Sequence, residues 1–544
     1  MSGIKISDLK SMADNRKGIP DIHSDDPLTL AENAAWRLAW EQPQFSAHAG
    51  VNRPQRIALF SILAVLFILV MAKPDLSVLM LGWTLAFFFT SAILFRCVLL
   101  ICGMHAAWRR HGSAPQTDLL NGRQLPMYTI IVPLYREPGS VPQLMAALSR
   151  LDYPADRLDI KLVLEAGDEA TFTAIRKLNP PAHFQVLRVP PLAPRTKPKA
   201  CNYALSSATG EHVVIYDAED IPDTDQLRKA ASAFHAAGPL LACLQARLNF
   251  YNRRENWLTR QFTLEYSMWF DWLLPGLQAL GLPIPLGGTS NHFRTGVLRR
   301  LGGWDAYNVT EDADLGLRLA RSGYSCAVLD SSTMEEANCQ HINWLRQRTR
   351  WQKGYMMTWF VHMRRPLDLW RQLGPRGFLG FQLFVGGTVA LALSMPAAFL
   401  IFVLSLCACG PQAPQLLSQL NAIIFTLGLC VGAVCAAAGA VGRGYYDLLI
   451  EILFTPLYWG LTMLASISAL WQLTCNPFYW EKTRHAISRM PPPILPEQTD
   501  TAAYAGRTAT QQSAISGRIP PAHCPDFDSP LKKFTEPQKK LYVA

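Results

Sequence analysis

The hydrophobic positions along the chain fall into two patterns. Uninterrupted apolar runs lie towards both ends, whereas the long middle, from about Trp108 to Arg376, sets short apolar runs between stretches with helical periodicity. Near the beginning, Ile57 to Ala72 and Leu76 to Phe95 carry no charge and are separated only by Lys73-Pro74-Asp75. These runs of 16 and 20 residues predict a transmembrane hairpin, because helices satisfy their own backbone polar groups in lipid. Later, Gly377 to Cys409 is uncharged over 33 residues and interrupted by Pro396. At about 1.5 Å per residue it is too long for one upright span and too short for two. Ala422 to Val441 reads as a clean span, and Leu448 to Cys475 as another, weakened by Glu451 and Pro456.

In the middle, Tyr128 to Pro133 predicts a buried strand, Val141 to Leu151 a helix, and Ile160 to Leu164 a second strand. Phe184 to Val189 and His212 to Ile215 predict two more. This alternation predicts an α/β domain, a mostly parallel sheet wrapped by helices. Residues 1 to 52 are polar and hold no apolar h-region, which predicts no cleavable signal peptide and one short helix from Ala31 to Trp40. Beyond Met490 a composition rich in Pro, Ser, Thr, Gln and Ala predicts disorder.

Charge orients these elements. Arg53, Arg56, Arg96, Arg109 and Arg110 flank the open end of the first hairpin, which predicts the N-terminus and the middle domain on the cytoplasmic side. Three further spans would leave the C-terminus outside, yet Lys482, Arg484, Arg489 and the lysines Lys532, Lys533, Lys539 and Lys540 argue for inside. Either the 377 to 409 block bends into a helix pair or the start of the last block lies in the interface, giving five or six membrane helices. Composition agrees with partial membrane residence: 544 residues are 50% hydrophobic and 17% charged, with a net charge of +10. The 12 cysteines include no C-x-x-C pair, which predicts reduced, packed thiols. The expected organisation is a cytoplasmic segment 1–55, a transmembrane hairpin 56–103, a cytoplasmic domain with interfacial helices 104–370, a transmembrane region 371–480 and a tail 481–544.

The chemistry begins at Tyr216-Asp217-Ala218-Glu219-Asp220, three carboxylates directly after a buried strand. Clustered carboxylates at the carboxyl edge of a sheet suit a hard cation such as Mg²⁺ or Mn²⁺, which in turn implies a phosphate. An acidic, N-capping turn before the helix at Asp225-Gln226-Leu227 is the alternative. Neither G-x-G-x-x-G nor G-x-x-x-x-G-K-[ST] occurs here, so metal and basic side chains must meet any phosphate. Gln347, Arg350 and Trp351 lie at i, i+3 and i+4 and share one face of a helix.

Taken together, Val132-Pro133-Leu134-Tyr135-Arg136-Glu137, Glu165, Lys199-Ala200-Cys201-Asn202, Asp217-Ala218-Glu219, Thr310-Glu311-Asp312 and Gln347-x-x-Arg350-Trp351 occur in an order that resembles the inverting family-two glycosyltransferases. The resemblance is to the membrane-embedded processive branch, which includes cellulose, chitin, hyaluronan and curdlan synthases. It covers roughly residues 50 to 485, with two departures: Glu165 stands where the family usually has Asp, and the usual D-x-D is D-x-E followed by Asp220.

The resemblance implies a GT-A-like nucleotide-diphospho-sugar transferase domain inserted between transmembrane helices. It implies that Glu137 and Glu165 hold ribose and base, that Lys199 and Arg350 meet the diphosphate, and that Asp217 with Glu219 or Asp220 binds Mg²⁺ or Mn²⁺. Asp312 becomes the general base that takes the acceptor hydroxyl's proton, with Glu311 beside it and Asp314 a nearby rival. N-capping of a helix from Ala313 to Ser322 is the structural alternative for this acidic run. Thr289, Ser290, Gln347 and Trp351 are the expected acceptor contacts, the indole as a stacking floor.

The implied function is polymerisation of sugar from a UDP-linked donor into a β-linked polysaccharide extruded across a bacterial inner membrane. The expected partners are donor, growing glycan, bilayer and periplasmic or outer-membrane export proteins, with no nucleic acid. Transfer of a single sugar to a polyprenyl-phosphate lipid is the second expectation, and a catalytically silent nucleotide-sensing scaffold the third.

Overall fold

The computed structural model describes residues 26–112, 120, 122–407, 415–480, 482–483 and 487–490. The polar stretch before Asp26 and the tail beyond Met490, with its predicted disorder, lie outside the described residues. Eight strands form one sheet: β1 (Tyr128–Leu134), β2 (Leu158–Glu165), β3 (Phe184–Val189), β4 (His212–Ile215), β5 (Ile221–Pro222), β6 (Leu241–Phe250), β7 (Asn291–Arg294) and β8 (Ser325–Glu335). Their order is β3-β2-β1-β4-β7-β6-β8-β5. The first four pair in parallel, whereas β7 runs antiparallel to both β4 and β6.

Successive strand residues serve opposite cores. Ile131, Val163, Val213 and Ile215 enter one apolar cluster, and Ile130, Val132, Leu162 and Val214 the other. Burial on both faces explains why these strands read as continuous apolar runs in the sequence. Chain order proceeds from β1 outward through β2 to β3, then returns across β1 to β4, so a topological switch lies between β1 and β4. Ligands of open α/β sheets bind outside the carboxyl ends of strands at such a point. At the sheet's centre, the buried His292 bonds Tyr128 Oη at 2.7 Å through Nδ1 and Gln226 Oε1 at 3.2 Å through Nε2.

The apolar ends fold as long helices, Arg53–Ala72 and Pro74–Gly112 before the sheet domain, and Gly387–Cys407 and Gln415–Gly442 after it. Five helical stretches among the described residues are long and apolar enough to cross a membrane. The second of them reaches the domain through glycine. A Cβ on Gly103 would run into the Trp272 carbonyl, and one on Gly276 into the Leu99 carbonyl, so this contact is backbone against backbone. The described cysteines are free thiols.

The last apolar block is tied to the sheet domain. Residues 446–454 form a 3₁₀ segment tied to the domain by ion pairs from Arg253 and Arg254 to Asp447 and from Arg260 to Glu451. The helix Thr455–Cys475 then runs beside the helix His341–His362, with Tyr458 bonded to Arg348 at one end and Gln472 to Lys353 at the other. Both ends of this helix therefore return to the domain. Lys482, beyond it, reaches Glu137 at 3.2 Å, so that part of the chain packs against the domain.

Candidate active site

A continuous cavity of about 650 Å³ opens at the carboxyl ends of β1, β2 and β4 and extends between the apolar helices. Glu137 and Glu165 line its outer end. One oxygen of Glu165 is buried without a partner, while the other pairs with Lys199 at 2.9 Å. Lys199 is fully buried, donates to the Leu192 carbonyl at 2.7 Å and does not line the cavity. The expectation that it meets the diphosphate is corrected: its ammonium braces Glu165 from behind. Lys197, at the first position of the same helix, turns into the cavity instead, pairing with Asp217 and donating to the Gly288 carbonyl at 2.6 Å. Burial would lower the Lys197 pKa, but the carboxylates of Asp217 and Glu311 outweigh it, so the ammonium is held charged.

The first acidic run separates by role. Asp217 and Glu219 line the cavity, whereas Asp220 is buried beneath the turn. One Asp220 oxygen accepts from the Asp217 backbone N–H at 2.7 Å and from the Thr289 hydroxyl. Asp220 therefore shapes the turn, and the expectation that it holds metal is corrected. Burial, followed by the charges of Asp217 and Glu219, raises its pKa well above the carboxylate range. Glu335, at the end of β8, adds another carboxylate to the same wall, also raised by burial and by its acidic neighbours, with one oxygen unpaired.

Among the described residues no three His, Cys, Asp or Glu side chains converge closely enough to hold a metal by themselves. The donor set of Asp217 and Glu219 nevertheless fits a hard cation whose coordination is completed by phosphate oxygens. Burial and the charges of Asp217 and Glu219 raise both Asp220 and Glu335 beside it, so a further negative charge is disfavoured there.

The second run divides in the same way. Glu311 and Asp312 line the cavity at the start of the helix Glu311–Arg321. Asp314 points inward, accepting from Arg318 Nε at 2.8 Å and bonded to His362 Nε2 at 2.9 Å, which removes it as a rival base. The helix is not capped by these acids. Its cap residue is Thr310, without a side-chain capping bond, and Asp312 accepts from the adjacent Ala313 N–H, at 2.8 Å. Burial and the charge of Asp312 push Glu311 up to about 8, and burial raises Asp312 against the opposing pull of the Ala313 N–H, Lys197 and Arg350.

Thr289 lines the cavity, but Ser290 does not: its hydroxyl is buried against Thr333 Oγ1 at 2.7 Å, which corrects the expectation that it contacts acceptor. Gln347, Arg350 and Trp351 all face the cavity from the helix His341–His362. Gln347 Oε1 and Arg350 Nε are buried without hydrogen-bond partners among the described residues. Trp351 stacks beside Tyr266 with ring centroids 6.3 Å apart. Arg348, between them in sequence, also lines the cavity but is taken up by Glu265 Oε1 at 2.8 Å and Tyr458 Oη at 2.7 Å, with its guanidinium 4.8 Å from the Trp351 ring.

Four residues beyond those expected therefore belong to the site: Lys197, Glu335, Trp480 and Lys482. Trp480 lies under the Arg350 guanidinium at 4.7 Å, and Lys482 pairs with Glu137, so the segment after the last helix crosses the donor end. In the sequence, Lys197 is separated from Lys199 by only one residue, and nothing in that spacing shows which of them turns inward.

Residues 126–354 match the family described as "Glycosyltransferase like family 2". This stretch is less than half of the chain; it has a GT-A-like fold, is similar to that family and lies between candidate membrane helices. The chain is 27% identical over 242 residues to the "Probable glycosyltransferase YdaM" of Bacillus subtilis, covering 43% of this chain and 56% of that protein. A "Beta-monoglucosyldiacylglycerol synthase" of Synechocystis is 26% identical, over 45% of this chain and 50% of its own. "Cellulose synthase 2" of Novacetimonas hansenii is 28% identical over 42% of this chain and 14% of its own. The chain thus spans about half the length of the first two and much less of the third. Among solved structures, a mannosyltransferase of Pyrobaculum calidifontis in complex with GDP-Man and Mn²⁺ is 20% identical with a TM-score of 0.44, over 72% of this chain and 99% of the other.

Proposed function

We propose that this chain is a membrane-embedded inverting hexosyltransferase that moves a sugar from a nucleoside-diphosphate donor, read from the sequence as UDP-linked, to a hydroxyl presented from the bilayer side. The observation that carries the proposal is the single cavity joining Glu137, Glu165, Asp217 and Asp312 to walls made by the apolar helices. Glu137 and Glu165 accept hydrogen bonds from ribose and base. Asp217 and Glu219 would hold Mg²⁺ or Mn²⁺, which would supply positive charge against the diphosphate leaving group. Asp312 takes the acceptor proton as the hydroxyl oxygen bonds to the anomeric carbon. The bond from that carbon to the diphosphate breaks, and its electron pair leaves with the nucleotide. Arg350 and Lys197 oppose the charge that develops, and Trp351 supports the acceptor.

Two acceptors suit this arrangement. A growing β-linked glycan, extruded as it lengthens with export proteins beyond the membrane, is what the sequence resemblance implies, and the aromatic floor of Trp351 and Tyr266 supports it. A lipid acceptor is favoured by the cavity walls. Among the lining residues of the helices Pro74–Gly112, Gly387–Cys407 and Gln415–Gly442, only Arg96 and Thr388 are polar. A glycan there would leave many hydroxyls without partners, at a penalty for each.

The test is to incubate the protein in lipid discs with labelled nucleotide sugars and Mg²⁺ and then to partition the product. Label in the organic phase marks the lipid reading, and high-mass water-soluble label marks the polymer. Donor binding with no transfer to either would leave only a silent scaffold.

A further inference from the structure

Resting on the lipid reading above, we infer that Arg96 seats the phosphate of the acceptor, which is a lipid whose hydrocarbon chain is joined through phosphate to a hydroxyl-bearing head such as a sugar. Phe89, Ala92, Ile93 and Arg96 line the cavity from one helix at i, i+3, i+4 and i+7, a single face that is apolar for two turns and then ends in a cation. One turn further, Leu99 packs on Gly276 of the sheet domain, so Arg96 stands where the apolar walls give way to the catalytic ones.

Its guanidinium is half-buried and makes no hydrogen bond or ion pair with any described residue. The carboxylate whose charge reaches it is Glu265, already occupied by Arg348 and Tyr458. A charge at membrane depth without a partner is expensive and marks a ligand or a pathway. The facing apolar wall offers Leu391, Met395 and Leu429. A chain along that wall, an anion on Arg96 and a head reaching Trp351 and Asp312 match the cavity in order.

The head, not the phosphate, supplies the attacked oxygen. The head's O–H gives its proton to Asp312, its oxygen bonds to the anomeric carbon, and the nucleoside diphosphate leaves with the electrons of the broken C–O bond.

The experiment compares three acceptors in phosphatidylcholine discs: a polyprenyl-diphosphate-linked sugar, the same sugar as a long-chain alkyl glycoside, and polyprenyl phosphate with no sugar. Wild-type protein should use the first at least tenfold better than the second and should not use the third. Arg96→Gln should remove the preference for the first over the second, Arg96→Lys should keep part of it, and donor binding by calorimetry should persist in both variants. Inorganic phosphate at millimolar concentration should not compete. Equal use of the first two acceptors, an unchanged preference in Arg96→Gln, transfer to the third, or competition by free phosphate would each overturn the assignment. In those cases the lipid reading itself survives as long as label enters the organic phase; water-soluble polymer alone would remove both.

Discussion

The acidic runs at 217–220 and 311–314 are alike in composition and alike in how they divide labour. In each, the leading carboxylates face the cavity, and the last turns inward to hold backbone or neighbouring side chains. The difference lies in how the inward acid is satisfied. Asp314 is an ionised group matched by Arg318 and near His362, and these partners hold its pKa below the usual value against the effect of burial. Asp220 has no cation paired with it among the described residues, accepts from a hydroxyl and a backbone N–H, and is driven towards the neutral form. Composition therefore nominates a site, and partners decide which acid of a run serves the ligand.

The largest effect should come from Asp312→Asn, which keeps shape but cannot take a proton. Turnover should fall by about 10² to 10⁴-fold with donor affinity little changed. Loss of donor binding in that variant would mean the second run is structural throughout. Asp314→Asn should do the reverse, leaving Arg318 buried without its counter-ion at a loss of about 3 to 5 kcal/mol, read as a lower unfolding midpoint with turnover per folded molecule retained.

A step smaller, Asp217→Ala should weaken nucleotide binding in metal-containing buffer about tenfold, roughly 1.4 kcal/mol, and chelation should reproduce that loss in the wild type. Glu219→Asp should be tolerated. Asp220→Asn, which replaces an acid already driven towards neutrality, should bind donor and metal almost as the wild type does. A metal affinity that collapsed in Asp220→Asn alone would reverse the division of labour in the first run.

The mildest test is pH. Because burial raises Asp312, turnover should rise with pH through a range above that of an ordinary carboxylate and fall on the acid side as Asp312 takes up a proton. Stability has its own acid limb. Burial depresses His292 to about 3 and His212 to about 4, so both are neutral when folded. Unfolded histidine binds its proton near pH 6.5, so folding stability is complete above that value and is lost as pH falls. The loss is about 1.4 kcal/mol per unit for each group while only the unfolded form titrates. A flat unfolding midpoint between pH 6.5 and 5 would mean that these rings are protonated in the fold.

Much of this was legible in the chain. β1, β2 and β4 coincide closely with apolar runs because both faces of the sheet are buried there, and β3 coincides as well although Gln185 and Arg188 are exposed on this edge strand. Gln347, Arg350 and Trp351 share a face because helical spacing requires it. What escaped depended on direction, which spacing does not encode. Lys197 and Lys199 are two residues apart on a helix and so point to different sides, and the sequence reading chose the buried one. Ser290 follows Thr289, and its side chain is used up within the sheet by Thr333. The last apolar helix has the composition of a span, and only its ties to Arg348 and Lys353 reveal that both ends return to the domain. Arg96 looked like one more flanking cation until the cavity wall around it was seen to be apolar.

The central claim is that the cavity performs hexosyl transfer, and the most direct measurement is stoichiometry in lipid discs. Nucleoside diphosphate release and hexose incorporation would be counted together for each candidate nucleotide sugar with Mg²⁺ or Mn²⁺. The account predicts one nucleotide released per hexose incorporated, with the anomeric configuration inverted, and neither in Asp312→Asn above about one part in 10² of wild type. Tight donor binding without release, or release at the same rate in Asp312→Asn, would contradict it.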